Sequence, residues 1–497
     1  MSDEITQVRR YRFGPMPQRG AFGELRAGQI GVLGAAVLLA LGVARQVPGG
    51  YGALGTVLVL ALGGAAAFAR LRGRGLDEWL PVAVRHGMRR ARGETAWRSP
   101  APTAGMLPGE PILPPEIADV EVLEVPWRNG TVGVLKSGLD GTWTAVLAVR
   151  TEGFALLEAG EQERLAEQWG TALASLAAER SPISRISWVE RSAPSDGDAL
   201  GGYLAEARDD TIPLHAPAMQ SYLELIEEPG VTGKEHELFL SLQISRSRAR
   251  TEIREEGGED EGACRVLLRE LSAWAETLGG GPVTIRGVLT PRMLARVLRT
   301  HYDPFARQSL AHMEAARGTS DGGIEMAQAA PTASEEEWAS YWTDGALHTT
   351  YWVAGWPQID VGLQFLSPLL LSGTVVRSTA VVMEVLSPGA AERKLEQART
   401  REIAEASRQQ REGGLITARQ RRRWESTATR EDELSRGHAL VRHVGFVTVS
   451  STGAEEHRRA RLEIETAGRR ARLELRPMYG EQAAALTYTT ILCRGLA

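Results

Sequence analysis

The sequence predicts an α+β protein in which an N-terminal transmembrane helical hairpin is followed by two cytoplasmic α+β domains with largely antiparallel sheets. Three observations carry that expectation. Two uncharged apolar stretches, 27–44 and 46–69, are separated by the single charge Arg45. Downstream, short alternating apolar runs bounded by Asn-Gly and Asp-Gly dipeptides mark antiparallel strands. Between those runs, apolar residues three and four apart mark amphipathic helices. The chain therefore divides into a basic cytoplasmic N-terminus (1–26), the hairpin (27–69), a basic segment and linker (70–115), a first α+β domain (116–302), a linker (303–337) and a second α+β domain (338–497).

A hydrocarbon core about 30 Å thick takes roughly 20 apolar residues in helical form, so each stretch is long enough to cross a bilayer. Arg9, Arg10, Arg12, Arg19 and Arg26 precede the first stretch, and Arg70, Arg72, Arg74, Arg85, Arg89, Arg90 and Arg92 follow the second. Cytoplasmic flanks collect Arg and Lys, so two spans of the cytoplasmic (inner) membrane are expected, with both termini in the cytoplasm and the turn at Pro48, Gly49 and Gly50 outside. A secretory signal is a competing reading of a basic start before an apolar run. The late start near residue 27, the immediate second run and the basic block after it favour the hairpin. A buried soluble helical pair is the other alternative, but Gly31, Gly34, Gly42, Gly52, Gly55, Gly63 and Gly64 suit close helix packing in lipid and association between copies, so a homo-oligomer is expected.

After a Pro- and Gly-rich linker at 97–115 come strands at 120–128 and 131–136 around Asn129-Gly130, and a third at 142–150 after Asp140-Gly141. Leu165, Trp169, Leu173 and Leu176 mark a helix. Residues 183–191 read as a strand, 200–228 as helical segments, and 236–244 as a strand whose Leu238, Leu240, Leu242 and Ile244 alternate inward. Cys264, Leu267, Leu268, Leu271, Trp274 and Leu278 mark another helix. A strand at 283–289 follows, and Thr290-Pro291 starts a helix to about residue 300. Gly, Ser, Ala and acidic residues then replace the periodic pattern. Beyond them lies an aromatic cluster of Trp338, Tyr341, Trp342, Tyr351, Trp352 and Trp356, a density that marks a core or an interface. A strand at 375–386, helices at 388–410 and 417–437 interrupted by Gly413-Gly414, a strand at 438–450, a helix at 454–467 and a strand at 471–476 suggest a small sandwich with helices on one face of the sheet.

The net charge of −5 conceals a split, because residues 1–100 hold 14 Arg against 6 acids and the rest of the chain is acidic. Anionic headgroups would attract that basic part. Two cysteines, Cys264 and Cys493, fit a reducing compartment and give no disulfide framework or zinc spacing. A phosphate loop needs G-x-x-x-x-G-K-[ST]. Of the lysines Lys136, Lys234 and Lys394, only Lys234 follows a glycine, Gly233, and there Glu235 replaces the hydroxyl and Glu228 the first Gly. His438 and His443 would face opposite sides of one strand, while His312, His348 and His457 lack companions at metal spacing. No nucleophile elbow occurs. The residues therefore call for no catalytic group, cofactor or metal. Arg419 and the run Arg421, Arg422 and Arg423, beside Trp424, could contact nucleic acid, although the same run suits an exposed helix face paired with Glu425 and Glu431.

Several segments resemble known families. Arg10-Tyr11-Arg12-Phe13-Gly14-Pro15, Leu25-Arg26-Ala27-Gly28-Gln29 and the hairpin resemble the PrgI-type family, the short two-span inner-membrane subunit of type IV secretion and conjugation machines. Asp140-Gly141-Thr142-Trp143-Thr144-Ala145-Val146-Leu147 and Gly160-Glu161-Gln162-Glu163-Arg164-Leu165-Ala166 resemble the N-terminal domain of the VirB/TraC-type conjugation ATPase. So do Trp356-Pro357, Phe365-Leu366-Ser367-Pro368-Leu369, Arg430-Glu431-Asp432-Glu433-Leu434, Gly437-His438-Ala439-Leu440-Val441-Arg442 and Tyr479-Gly480-Glu481-Gln482. Together they are similar to an actinobacterial family in which the short subunit is fused to that domain. The sequence ends at Arg494-Gly495-Leu496-Ala497, where the ATPase proper would begin, so the resemblance implies hydrolysis by a separate subunit. It implies a non-enzymatic inner-membrane scaffold of a type IV secretion-like or conjugative apparatus. Its partners would be a VirB/TraC-type ATPase, other inner-membrane secretion subunits and anionic lipid. Trp342, Trp352 and Trp356, and the segment 477–496 with Tyr479 and Arg494, are the expected partner-binding residues, with a core role for the tryptophans as the alternative. A membrane-tethered DNA-binding module and an enzyme without a recognisable motif are the competing functions.

Overall fold

The computed structural model describes residues 27–99, 112–195, 212–227, 234–317, 322–411 and 418–496, apart from positions 48, 72, 73, 129, 152, 214, 280, 282 and 374. Helices α1 (Ala27–Gln46) and α2 (Gly50–Phe68) coincide with the two apolar stretches, and both are long and apolar enough to cross a membrane. Leu38, Leu39, Leu41, Leu54, Val57 and Leu62 face away from the rest of the protein. Apolar surface that water would penalise is thus uncovered around both helices. The pair is held close by small residues. A Cβ at Gly63 would stand 2.2 Å from that of Ala36, and one at Gly55 3.0 Å from Val43 Cγ1, whereas Gly31, Gly34, Gly42 and Gly64 face open space.

Of the segment 70–115, expected as a basic segment and linker, the basic part up to residue 98 forms regular elements, while residues 100–111 of the linker fall outside the described residues. A two-strand ribbon, β1 (Arg70–Leu71) and β2 (Arg74–Gly75), leads into α3 (Leu76–Ala91) and then β3 (Ala96–Arg98). Asp77 and Glu78 in the first turn of α3 and Arg89 and Arg90 in its last complement the helix dipole. The many arginines masked an apolar periodicity through Leu76, Trp79, Leu80, Val84 and Met88 that marks a helix.

The body continues with β4 (Val120–Trp127), β5 (Gly130–Ser137), β6 (Thr142–Thr151), α4 (Ala159–Ala174), β7 (Ile183–Pro194), α5 (Pro217–Glu227) and β8 (Lys234–Ser245). Next are α6 (Arg250–Glu255), α7 (Glu259–Leu278), β9 (Val283–Val288), α8 (Pro291–Tyr302) and α9 (Arg307–Arg317). Thr290 caps α8 by accepting from the Met293 amide, ahead of Pro291 in its first turn. Then follow β10 (Ala333–Glu336), β11 (Tyr341–Thr343), β12 (Ala346–Gly355), α10 (Ser367–Leu370), β13 (Val376–Val385), α11 (Pro388–Arg411), α12 (Ala418–Ser435), β14 (Val441–Ser451), α13 (Ala454–Arg470), β15 (Glu474–Pro477) and α14 (Gln482–Thr487). Of the segments read from sequence, the motif at 10–15, Asn129, about half of the helical region at 200–228, and Gly413-Gly414 fall outside the described residues.

Two separate sheets were expected, and one continuous sheet is found. Its order is β3-β10-β11-β12-β14-β13-β7-β8-β6-β5-β4, with β15 added to β12 and β9 to β6, and every pairing among the described residues is antiparallel. The join is β7 against β13, in register from Arg377 opposite Ser192 to Met383 opposite Ile186. Both strands are buried on both faces, so each needs a neighbour on either side, and each supplies the other's. The region 303–337, expected as a linker, holds α9 and β10, and β10 pairs with β3 at the far edge of the sheet.

Helices cover both faces rather than one. On the first face α4 and α7 pack on Trp143, Ala145, Leu147, Ile186, Leu240 and Leu242. The register sets Val447 beside Thr379 and Thr379 beside Glu190, so α13, over Tyr351, Val353, Val447 and Val449, shares that face. On the second face α8 and the chain from α14 onward cover Leu135, Val146, Val189, Phe239 and Ala380. Helices α11 and α12 form an insertion between the paired strands β13 and β14. Only Ala391, Leu395 and Thr427 among their described side chains are buried, and Arg399 pairs with Glu431 between the helices.

Candidate functional site: the junction of hairpin and body

The apolar helices meet the body through α3. Its Trp79 ring lies 5.8 Å from Trp338 and 5.5 Å from Tyr479, while Trp338 and Tyr479 stack at 6.1 Å. His86, two turns along α3, meets Trp338 edge-on at 5.3 Å. Offset and edge contacts of this kind bring the positive ring edge to the negative face, and each adds roughly 0.5–1.5 kcal/mol beyond burial. Gly480 makes room for the stack. Its φ is +71°, and an added Cβ would sit 2.6 Å from Trp338 Cζ3 and 3.0 Å from Val82 Cγ1.

Charge closes the same joint. Arg89 Nη1 donates to Glu336 Oε2 at 2.7 Å, with the Glu336 side chain almost fully buried, and the other Glu336 oxygen accepts the Ala483 amide at 3.0 Å. Glu116 lies 3.9 Å from Arg89, and burial, with Glu336 nearby, pushes its carboxyl above the usual range despite the arginine. Arg85 reaches Glu481 at 3.5 Å on the more exposed side. The arrangement fixes a helix contiguous with the apolar hairpin to the rim of a large sheet.

The expected partner-binding residues do not form one surface. Trp342, on β11 opposite Leu347, is half-buried. Trp352 packs with Phe446, Val444 and Tyr488 on the second face, whereas Trp356 meets His443 edge-on at 5.0 Å and joins the first-face core. A bulge between Val353 and Gly355 separates the two tryptophans. Tyr479 belongs to the α3 joint. Arg494 donates to both oxygens of Asp119 at 2.8 and 2.7 Å and to Glu116 O at 2.6 Å, tying the end of the described chain to the turn before β4. The segment 477–496, expected to reach outward, lies largely inside, because Leu486, Ile491 and Leu492 are apolar and complete the second-face core. Arg421 is exposed on α12, and the side chains of Arg419, Arg422 and Arg423 fall outside the described residues. Trp79 and His86 were not singled out from sequence. A tryptophan within a basic helix directly after an apolar span was the available signal.

Groups with chemical potential are engaged within the fold. His348, fully buried, sits 2.9 Å from Tyr302 O through Nε2 and 2.8 Å from Ser450 Oγ through Nδ1. A carbonyl takes only a donor, so Nε2 carries the proton and Nδ1 accepts from the serine. His457 lies between Thr349 and Ser451 at 2.7 and 2.8 Å. Burial lowers both imidazoles to about 4. Arg307, 2% exposed, pairs with Glu235 and Glu237 at 2.8 Å each, and Arg191 shares Glu237 at 3.6 Å. Burial raises the Cys264 and Cys493 thiols to about 12, which makes them poor nucleophiles. Burial, with Arg377 nearby, lowers the Lys234 ammonium, while Glu228 and Gly233 lie outside the described residues. Among the described residues no group of three His, Cys, Asp or Glu side chains could hold a metal ion.

No known family model matches the chain, and no curated protein matches it.

Proposed function

We propose that the chain is an inner-membrane scaffold of a type IV secretion-like or conjugative transfer apparatus that docks a separately encoded motor ATPase. The observation that supports this most is the joint of Trp79, Trp338, Tyr479 and Arg89 with Glu336, which couples a pair of bilayer-length helices to a sheet of 13 strands among the described residues. Such coupling suits a part that transmits position between a membrane complex and a cytoplasmic machine. In this reading the arginine-rich flanks hold both ends in the cytoplasm, and open glycines on α1 and α2 admit neighbouring copies or other inner-membrane subunits. Several segments resembling the conjugation ATPase domain serve as structural clamps. Trp143 donates to Asp260 at 3.0 Å. Gln482 accepts the Thr350 amide at 2.8 Å, filling the gap along β12 between β11 and β15. These roles fit a motif set that specifies architecture rather than catalysis.

The test is purification of the tagged full chain from membranes in mild detergent, with identification of what accompanies it. A motor ATPase in stoichiometric amount is expected. Robust nucleotide turnover by the chain alone, abolished by Lys234→Ala, would replace the scaffold with an enzyme.

A further inference from the structure

We propose that α3 lies in the membrane–water interface, with its outward face buried in the lipid and its inward face gripping the body. Leu76, Leu80, Val84 and Met88 recur every four residues and are 38%, 61%, 45% and 55% exposed. At about 100° per residue they form one sector, and Pro81, Ala83, Gly87 and Ala91 fall within it. Asp77 is the only charge there. It lies in the first turn, where a Cβ on Gly28 of α1 would come 2.8 Å from its Oδ2. The opposite sector carries Trp79, Val82, His86 and Arg89, the side facing the body.

Three observations select a lipid surface as the occupant. The first is continuity, because the Leu76 amide donates to Ala69 O at 3.3 Å and so places the start of the apolar sector at the end of α2. The second is charge, because exposed Arg85 and Arg90 flank the apolar sector on either side, at the level where anionic headgroups would sit. The third is composition, because long apolar side chains on one face with arginines at its margins match an in-plane helix that sinks about 5–10 Å into the headgroup boundary. The proposal rests on α1 and α2 being membrane spans. It adds that the body is held at a set orientation to the inner leaflet instead of swinging on a tether.

The test uses the full chain in liposomes of zwitterionic and anionic phospholipid, with an environment-sensitive fluorophore on single introduced cysteines. Native Cys264 and Cys493 are buried and 3% and 0% exposed. Leu80→Cys and Met88→Cys probe the sector, Leu156→Cys on the body is the aqueous reference, and Val57→Cys on α2 is the membrane reference. Blue-shifted emission from positions 80 and 88, with at least twofold quenching by acyl-brominated lipid and none at 156, is expected. Quenching at 57 with water-like emission at 80 and 88 overturns the interfacial helix alone. Shielding at 80 and 88 without lipid quenching overturns it in favour of contact between copies. Absence of quenching at 57 overturns both this proposal and the two-span reading, whereas loss of ATPase copurification with quenching intact bears only on the scaffold function.

Discussion

Replacing Trp79 with alanine should release α3 from the body without unfolding the sheet. The indole is 9% exposed and meets two aromatic rings. Large-to-small changes at buried Trp cost about 3–5 kcal/mol. The joint lies at the rim, where neighbours can partly collapse, so the lower end, about 3 kcal/mol, is the better figure. A tenfold change in equilibrium takes about 1.4 kcal/mol, so the docked population should fall roughly 100-fold relative to the undocked one. Arg89 with Glu336 and Glu116, Arg85 with Glu481, and the edge contact of His86 with Trp338 then carry the joint. The readout is hydrogen exchange at two body amides that depend on docking, Glu336, which donates to Thr95 O at 2.7 Å, and Ala483, which donates to Glu336 Oε1 at 3.0 Å. Both should lose protection while amides of α7 keep theirs, and Trp79→Phe should restore much of it. If Trp79→Ala leaves Glu336 and Ala483 as protected as in the parent, or if α7 opens equally, the stack is not what couples hairpin to body.

Gly480→Ala combines a positive φ with a close approach to Trp338, so a loss of roughly 1–3 kcal/mol is expected, measured by chemical unfolding of the full chain in detergent. An unchanged midpoint would refute the tight fit there. His348 and His457 titrate near 4 when folded and near 6.5 when unfolded, so unfolding takes up protons between those values. Stability should be full above pH 6.5 and fall as pH drops toward 4, at up to about 1.4 kcal/mol per pH unit for each histidine. His457→Gln should flatten that slope, and a parent protein equally stable at pH 7 and pH 5 would contradict the buried neutral imidazoles. A titration with duplex DNA at low salt should be flat. Salt-sensitive binding lost in Arg421→Ala would instead favour the nucleic-acid reading.

Most strands and helices of the body were legible because each announces itself over a few residues. Leu238, Leu240, Leu242 and Ile244 alternate on β8, and Cys264, Leu267, Leu268, Leu271 and Trp274 repeat at helical spacing on α7. The short strands β10 and β11 escaped notice, since three or four residues carry too little pattern. The candidate site was half visible. Trp338 and the Tyr479-Gly480-Glu481-Gln482 segment stood out, but their partners Trp79, His86 and Arg89 are more than two hundred residues away and hidden among the arginines that follow the second apolar helix.

The sequence by itself determined the two bilayer-length apolar helices, the mixed α+β composition and most element types, because span length, side-chain period and turn residues are properties of contiguous chain. Only the tertiary structure decided that β7 and β13 merge the expected domains into one sheet, that the tryptophans separate into different cores, and that α3 clamps the hairpin to the body. Those outcomes depend on which apolar faces find each other across long separations. A strand buried on both faces states its need for neighbours without naming them.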